Sequence, residues 1–341
     1  MKITIREIAK EAGVSMTTVS NVINKRSKRV SEETVERIEK IIEKYNYTPN
    51  MNARSLVQSS SKLIGLLYFS QKDEFSFSDP FVSQVMANVE REAKKAGYFI
   101  FVHNITSEKD ILSIQNNWKF DGFIIVGVTS RDFEAVHSVL KGPAVYIDTH
   151  LSKQDSEEIA KQDACVFVNS NDALASHTAV EYLIHNGHKE IAFLSYVFDI
   201  NYTSVIEQRF KAYSSLLKQH NIPFKEENVF IDSEFDRILE QIDSITAIFV
   251  TGDLLAARLI KYLKNNDIYT PKDISVISID NMMFADLIDP PLTTIDLDPD
   301  LKGKLAFQYL LKIIDEETIE NNFIELDNQL IIRDTVRPLN N

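Results

Sequence analysis

The chain has 341 residues, of which 44% are hydrophobic and 26% are charged, a balance typical of folded proteins with two or three domains. No apolar run approaches the ~18 residues that a membrane-spanning helix needs, and no secretion signal opens the chain, so the sequence predicts a cytoplasmic protein. Its only cysteine, Cys165, lies in an apolar run, which excludes a disulfide framework.

The formal net charge of −13 is distributed unevenly along the chain. The first 60 residues carry eleven Lys and Arg against seven Glu, a net charge of +4, and the remaining residues carry −17. A small basic segment ahead of an acidic body is typical of a protein that contacts a polyanion at one end only.

Residues 4–24, TIREIAKEAGVSMTTVSNVIN, predict two short helices joined by a tight turn. Thr4 and Glu7 have the spacing of a capping box, Gly13 suits the left-handed residue that ends a helix, and Ser15 is a good N-cap for the second helix. The apolar stripe of the first helix consists of Ile5, Ile8, Ala9 and Ala12. Two such helices with a turn of about three residues predict a helix-turn-helix.

The outer side of the second helix carries short side chains where a merely solvated helix would usually carry Lys and Glu. These residues are Met16, Thr17, Thr18, Ser20 and Asn21. Short side chains let a helix backbone lie deep in the major groove of DNA, where Asn pairs with base edges and Thr with phosphates. The alternative is a helical hairpin whose polar face simply contacts water.

A third helix is predicted from the Ser31 cap to about Tyr45, and it would complete a small core. Its inward residues would be Val35, Ile38, Ile41, Ile42 and Tyr45. The loop before it holds four basic residues that could reach phosphates, Lys25, Arg26, Lys28 and Arg29. Residues 1–47 therefore form a predicted DNA-binding domain. In the following linker, residues 48–61, NMNARSL could form barely two helical turns, which are unstable without a partner.

From Lys62 onward, apolar strands alternate with helices, which predicts an α/β body of two doubly wound parallel-sheet lobes after an all-α head. We expect one lobe over about residues 62–160 plus 293–320, and the other over about 161–292 plus 321–341. Ligands of such folds bind in the cleft that faces the carboxyl ends of the strands.

Polar and aromatic residues stand at the predicted strand ends or near helix starts, and we expect them to line this cleft. These are Ser70, Phe81, Asp148, Asn169, Arg209, Asp232, Gly252, Asp253, Asp280 and Asn281. Carboxylates that accept hydroxyls, together with an aromatic ring, suit a neutral polyhydroxylated ligand. The alternative for each Asp is a helix cap, since Asp is a preferred N-cap residue.

Catalytic motifs are not found in this sequence. It lacks G-x-G-x-x-G, G-x-x-x-x-G-K-[ST], G-x-S-x-G and H-E-x-x-H, and the pair His185 and His188 lies where a helix C-terminus favours His. We therefore expect no enzyme, no cofactor and no metal.

Taken in order, several stretches of the chain resemble the lac repressor/galactose repressor (LacI/GalR) family of bacterial transcription regulators. The resemblance is carried by TIREIAKEAGVSMTTVSNVIN, VSEETVERIEKIIEKYNYTPNMNARSL, KLIGLLYF, VEYLIHNGHKEIAFLS, QRFKAY, AIFVTGD, IYTPKDISVISIDN and IIRDTVRP. It covers nearly the whole chain. It implies a homodimer with a periplasmic-binding-protein-like body that binds pseudo-palindromic operator DNA and represses transcription under the control of a small effector.

The resemblance also implies roles for individual residues. Those implied in DNA binding are Thr4, Ser15, Met16, Thr17, Thr18, Ser20, Asn21, Asn24, Ser31, Tyr47, Asn50, Ala53 and Leu56. Met16, Thr17 and Asn21 would read bases, and Leu56 would be a wedge in the minor groove, where the short hinge helix gains its missing partner. Those implied in effector binding include Asp79, Phe81, Asp148, Arg209 and Asp280.

Departures from the family pattern limit what can be transferred. Gly252 stands where many sugar-responsive members have Asn, and Asn21 where others have Arg or His. The chain also lacks a leucine heptad tail, so we expect no tetramer.

Three alternatives remain to a repressor of carbohydrate or related small-metabolite genes. One is a global catabolite regulator with a phosphocarrier protein as corepressor. The others, a transporter's solute-binding protein and a sugar-modifying enzyme, are disfavoured by the attached head and the missing catalytic motifs.

Overall fold

The computed structural model describes residues 3–23, 30–47, 60–70, 79–162 and 165–339. It divides the chain into two compact units, residues 1–61 and residues 62–341. The first unit contains three described helices, α1 (Ile5–Ala12), α2 (Met16–Ile23) and α3 (Glu32–Lys44).

Local sequence rules account for the ends of the first helices. The Thr4 backbone N–H donates to Glu7 Oε2 at 2.7 Å, and the Glu7 N–H donates back to Thr4 Oγ1 at 3.4 Å, so the predicted capping box is present. Gly13 adopts the left-handed conformation at φ 67°, as predicted for the residue that ends α1. The apolar faces of the three helices meet around Ile8, Val19 and Ile38, none of which is exposed.

The prediction that Tyr45 faces the core of this unit is wrong. Tyr45 is 43% exposed, because α3 ends at Lys44 and the chain turns at Asn46, whose φ is +46°. That turn brings Tyr47 back against the core, and its N–H donates to the Ile42 carbonyl at 2.9 Å.

Within the described part of the body, the strands form two six-stranded sheets, one in each lobe. The first has the strand order β11-β5-β4-β3-β1-β2 and is parallel throughout. Its strands are β1 (Leu63–Phe69), β2 (Phe99–Ile105), β3 (Gly122–Val126), β4 (Ala144–Ile147), β5 (Cys165–Ser170) and β11 (Phe323–Leu326). The second has the order β12-β10-β9-β8-β6-β7 and is parallel except where β12 pairs with β10. Its strands are β6 (Ile191–Ser195), β7 (Val229–Ile231), β8 (Ala247–Val250), β9 (Ser275–Asp280), β10 (Thr294–Asp296) and β12 (Gln329–Ile331).

Helices cover both faces of each sheet. Those of the first lobe are α4 (Pro80–Lys95), α5 (Glu108–Asn117), α6 (Phe133–Val139), α7 (Lys153–Gln162) and α12 (Pro299–Ile314). Those of the second are α8 (Asp172–His185), α9 (Val205–Gln219), α10 (Phe235–Glu240) and α11 (Asp253–Lys264). The side chain of Phe81 packs against a core cluster of each lobe, so it bridges the two lobes. Among the described helices, none is both long and apolar enough to span a bilayer.

The predicted lobe boundaries differ from the observed ones. β5 pairs with β4 and so belongs to the first lobe rather than opening the second, and β11 joins it there. β10 belongs instead to the second sheet, where it pairs with β9. Strand and helix patterns continue unchanged through these crossings, so the sequence shows where a strand lies but not which sheet it joins. The chain therefore crosses between lobes after Ser170, after Asp296 and after Leu326.

Close helix packing in the first lobe depends on one glycine. A Cβ at Gly303 in α12 would lie 2.4 Å from the backbone oxygen of Val85 in α4. We expect Gly303→Ala to lower the free energy of unfolding by about 1–3 kcal/mol, since a backbone oxygen cannot rotate away. Gly252→Ala is the matched control, because its Cβ would meet only the Asp280 side chain, at 3.3 Å. Urea denaturation of both variants measures the difference, and equal stabilities would contradict the prediction.

Candidate functional site

The outer face of α2 presents the small polar side chains that were predicted to meet DNA. Met16 is 52% exposed, Thr17 is exposed, and Asn21 is half-buried. Two neighbours have a local role, because the Ser15 Oγ accepts the Thr18 N–H at 3.1 Å and lies 2.9 Å from the Thr18 hydroxyl. Ser15 and Thr18 therefore begin the helix, and Thr17 and Met16 are the more available side chains.

The predicted phosphate-contacting residues also mark helix boundaries. Thr4 caps α1, and Ser31 precedes α3 with its Oγ 2.8 Å from the Thr34 hydroxyl. Ser20 is half-buried in α2, and Tyr47 is half-buried against the core. The predictions for Asn24, Asn50, Ala53 and Leu56, and for the basic loop before Ser31, lie outside the described residues.

Acidic residues from both lobes converge in the body. Asp79 is the N-cap of α4, and its Oδ1 accepts the backbone N–H groups of Phe81 at 2.9 Å and Val82 at 3.4 Å. The charges of Asp148 and Arg209 both act on Asp79, although Arg209 belongs to the other lobe. Asp79 acts in turn on Asp280 at the end of β9. The predicted cleft residues Asp79, Asp148, Arg209 and Asp280 are thus brought together.

Two of these aspartates have unusual backbone conformations. Asp148 has a φ of 52° and Asp280 a φ of 123°, a region that non-glycine residues rarely adopt. Such conformations cost of order 1–3 kcal/mol each and cluster at binding sites, where the surrounding structure holds them. Asp148 follows β4 and Asp280 is the last residue of β9, so these conformations orient one carboxylate from each sheet.

Arg209 and Lys302, the two buried cations described in the cleft, each form an ion pair with an aspartate. Arg209 donates from Nε to Asp172 Oδ1 at 2.8 Å and from Nη1 to the Thr251 carbonyl at 2.6 Å, and its Nη2 forms an ion pair with the same Asp172 oxygen at 2.7 Å. The other oxygen of Asp172 lies 2.8 Å from His150 Nε2. Lys302 of α12, whose side chain is not exposed at all, places its Nζ 2.5 Å from Asp148 Oδ1.

The pKa values reflect burial and these neighbours. Burial raises the pKa of Asp280 well above its ordinary value, and the nearby carboxylates of Asp253 and Asp79 add to the shift that Arg209 opposes. Burial also raises the pKa of Asp79. For Asp172, burial alone would raise the pKa, but the charge of Arg209 and the hydrogen bond with His150 hold it below its ordinary value.

Two further predicted residues have different roles. Asn169 accepts the Thr149 N–H at 3.1 Å with Oδ1 and donates from Nδ2 to the Thr149 carbonyl at 2.8 Å, so it fixes the backbone beside Asp148. Asp232 follows β7 and is half-buried, and its charge acts on the Tyr196 phenol.

Three residues of this site were not predicted from the sequence: Tyr196, Asp172 and Lys302. Loss of hydration, together with the carboxylates of Asp79 and Asp280, raises the pKa of Tyr196 to about 12. Asp172 and Lys302 resemble ordinary helix residues in the sequence, and only the three-dimensional fold pairs them with Arg209 and Asp148. Asp253 had been noted at its strand end, but its Oδ1 accepts the hydroxyls of Ser278 at 2.5 Å and Thr294 at 2.7 Å. This carboxylate therefore supports the loop around Asp280.

The acidic cluster predicts a pH dependence of stability. Because burial raises the pKa of Asp280, the folded chain holds its proton at a pH where the unfolded chain has lost it. Stability from this group is therefore present below the ordinary Asp pKa and is lost as pH rises through the folded pKa. Asp253 acts in the same direction, with a pKa raised to about 6 by burial.

We expect Asp280→Asn to flatten the fall in the free energy of unfolding between about pH 4.5 and pH 7.5. Urea denaturation at both pH values measures it. The matched control is Asp236→Asn, the same change at an exposed position of α10. A slope equal to that of the unmodified chain would contradict the prediction.

Comparisons with known proteins show which family the chain resembles. Residues 4–50 match the model of bacterial regulatory proteins of the lacI family, and residues 180–336 match a periplasmic binding protein-like domain. The chain is 30% identical to the HTH-type transcriptional repressor PurR of Vibrio campbellii, over 99% of both chains. Among the described residues, no group of three or more His, Cys, Asp or Glu could hold a metal ion.

Solved structures share the fold. A lac repressor dimer bound to operator and the anti-inducer ONPF has a TM-score of 0.82 at 24% identity, covering 99% of this chain and 100% of that one. A complex of the transcriptional regulator CelR with cellobiose has a TM-score of 0.70 at 22% identity, covering 98% and 100%.

Proposed function

Because this chain belongs to the lacI family of bacterial regulatory proteins and is a DNA-binding transcriptional repressor, we propose that a carbohydrate bound between its lobes controls its hold on operator DNA. The observation that carries this proposal is the convergence of carboxylates from both lobes of the body, in a chain that also carries a helix-turn-helix repressor head. Its relatives are repressors and not enzymes, so the sugar-modifying alternative no longer applies.

We propose that Met16, Thr17 and Asn21 read bases, while the hydroxyl-bearing caps at Thr4 and Ser31 contact phosphates. Support comes from the outer face of α2, where Met16 and Thr17 are exposed and Asn21 is half-buried, and where short side chains such as Thr17 allow close approach to base edges. The DNA-binding domain would be residues 1–47, and residues 48–61 would be the hinge. A regulator of this kind acts in the cytoplasm, where its DNA is.

A homodimer is supported by the edge of the first sheet. β2 is an edge strand among the described residues, and it exposes Phe99 by 60% and Val102 by 37%. Trp118, exposed by 47%, lies in the same region and lines a hollow of about 430 Å³ together with Phe101 and residues of α5. Exposed apolar edges of this kind are normally covered. A second copy would cover it, and its two-fold symmetry would match a pseudo-palindromic operator.

The carbohydrate is supported by the chemistry of the cleft. Asp79, Asp148 and Asp280 offer acceptors for sugar hydroxyls, and the rings of Phe81 and Tyr196 offer apolar faces. The similar CelR structure holds cellobiose, a hydroxyl-rich ligand. Since the carboxylates come from both lobes, a ligand that contacts them all would favour one relative position of the lobes.

Control of DNA binding would then be a shift in an equilibrium. An inducer must bind the state that releases DNA more tightly than the state that holds it, and coupling of about 1–3 kcal/mol changes DNA affinity by about 5–150-fold. The alternative is a phosphocarrier protein that acts as corepressor. The same experiment tests it, because this protein would change DNA binding without a sugar.

Fluorescence anisotropy with DNA fragments selected from genomic footprinting tests the proposed function. We expect a palindromic site and an affinity that falls steeply with salt concentration, because phosphate contacts release counterions. Absent or salt-insensitive binding at about 50 mM salt would contradict the proposal. Addition of sugars, and separately of a phosphocarrier protein, shows which one alters binding.

The hinge gives a separate prediction. We expect Leu56→Ala to weaken operator affinity by about tenfold or more, which corresponds to ~1.4 kcal/mol, because a smaller side chain cannot wedge between base steps. Leu174→Ala, at a 44% exposed position of α8, is the matched control and should bind as the unmodified chain does. If Leu56→Ala leaves both the operator affinity and the thermal stability unchanged, Leu56 does not act as a wedge.

A further inference from the structure

The buried cations of the cleft are already neutralised by the protein itself. All three donor nitrogens of Arg209 named above are used, two by Asp172 and one by the Thr251 carbonyl. The side chains of this pair are 6% and 1% exposed, so solvent screens them little. A ligand carboxylate or phosphate would have to displace Asp172 to reach the guanidinium.

Lys302 is occupied in the same way. Its Nζ contacts Asp148 Oδ1 at 2.5 Å and lies 4.8 Å from the centre of the Phe81 ring, with none of its side chain exposed. One carboxylate and one aromatic face thus enclose the ammonium group. A third cation, Arg258, acts on Tyr196, but it is exposed to solvent and lies over the Phe235 ring.

An excess of acidic groups remains after this pairing. Asp172 balances Arg209 and Asp148 balances Lys302. Among the described ion pairs, none includes Asp79 or Asp280, which lie on opposite walls, although the charge of Arg209 acts on both. Asp280 accepts only a long hydrogen bond, from the Asp253 N–H at 3.4 Å, among the contacts described for its carboxylate. Burial raises the pKa values of Asp79 and Asp280, and neighbouring carboxylates add to the shift, so each group ionises at a higher pH than an ordinary Asp.

We propose that the cleft selects its effector by charge, accepting hydroxyl-rich molecules that are uncharged or positively charged and excluding uronates and sugar phosphates. This inference rests on the proposed function, and it names Asp172 and Asp148 as the residues that remove anion affinity. They act by positioning and neutralising Arg209 and Lys302. Without those pairs, the same cations would attract an acidic sugar at close range.

Thermal-shift measurements on the full chain test the proposal with matched ligands. The panel contains neutral hexoses and disaccharides, nucleosides, hexosamines, hexuronates and hexose 6-phosphates at about 10 mM, since a ligand that binds the folded state raises the melting temperature. We expect the stabilising members to be neutral or cationic. Stabilisation by a hexuronate or sugar phosphate in preference to its neutral counterpart overturns the proposal, and so does a panel without any stabilising neutral or cationic member.

Two variants test the charge selection without breaking either buried ion pair. Asp79→Asn keeps a good N-cap residue, and Asp280→Asn breaks no ion pair. Each replacement removes one negative charge from the cleft only above the raised pKa of the carboxyl group it replaces, so the affinities are compared above those pKa values. We expect each to improve the affinity for the acidic counterpart of the stabilising ligand, relative to that ligand, by roughly tenfold. Asp236→Asn, the exposed control, should leave the ratio unchanged, and equal ratios in all three variants would overturn the proposal.

Operator binding separates this inference from the proposed function. If the chain binds its operator and an acidic sugar releases it, the charge selection is wrong while the repressor assignment stands. If no operator is bound under any condition, the proposed function itself fails.

Discussion

Replacing Asp172 by Ala is expected to lower the free energy of unfolding by about 3–5 kcal/mol, the usual cost of leaving a buried charge without its partner. Asp172 accepts a hydrogen bond from Arg209 Nε and pairs with its Nη2 at 2.7 Å, and its second oxygen lies 2.8 Å from His150 Nε2. Its removal leaves a guanidinium that is 6% exposed with only the Thr251 carbonyl as a described partner. Urea denaturation at neutral pH measures the loss.

Two controls identify the mechanism. Glu190→Ala breaks the exposed Glu190–Lys225 pair and should cost far less than Asp172→Ala, because solvent already screens both charges. The double variant Asp172→Leu/Arg209→Met removes both buried charges and should recover much of the lost stability. A double variant less stable than Asp172→Ala would show that packing, rather than the uncompensated charge, explains the effect.

Placing a carboxylate on the outer face of α2 is expected to abolish specific DNA binding. Thr17→Glu removes a proposed base contact, worth about 1–3 kcal/mol, and sets a negative charge against the DNA. We expect operator affinity to fall by about a hundredfold or more, since like charges at an interface cost several kcal/mol. Fluorescence anisotropy at fixed salt measures the change.

Lys40→Gln provides a control with the same change in net charge. Lys40 is exposed on α3, outside the proposed recognition face, so this variant should lose only the general electrostatic attraction. Circular dichroism establishes that both variants keep the helical head. If Thr17→Glu and Lys40→Gln lose the same affinity, α2 does not carry the specific contacts.

Short-range rules made the head predictable from the sequence. The capping box at Thr4, the left-handed Gly13 and the apolar stripe around Ile8 depend on neighbours within one or two helical turns. The same holds for the cleft carboxylates at Asp148 and Asp280, because parallel strands end on a common edge and the sequence shows where each strand ends.

Long-range pairing was not predictable in this way. Nothing in the pattern around Cys165–Ser170 shows that this strand pairs with β4 of the first sheet. Lys302 has the sequence context of a surface helix residue, and only the packing of α12 brings it to Asp148. Tyr45 was predicted to face the core, but a turn beyond the helix end exposes it and brings Tyr47 against the core instead.

The three crossings between lobes have a consequence for synthesis on the ribosome. The first sheet lacks its edge strand until Phe323–Leu326 is made, although its other five strands end by Ser170. The second sheet is incomplete until its edge strand β12, Gln329–Ile331, has been made. Neither lobe can therefore finish folding as a nascent domain, and most of the body is translated before either sheet can close. The head, whose described helices end at Lys44, has no such delay and can fold while the body is still being made.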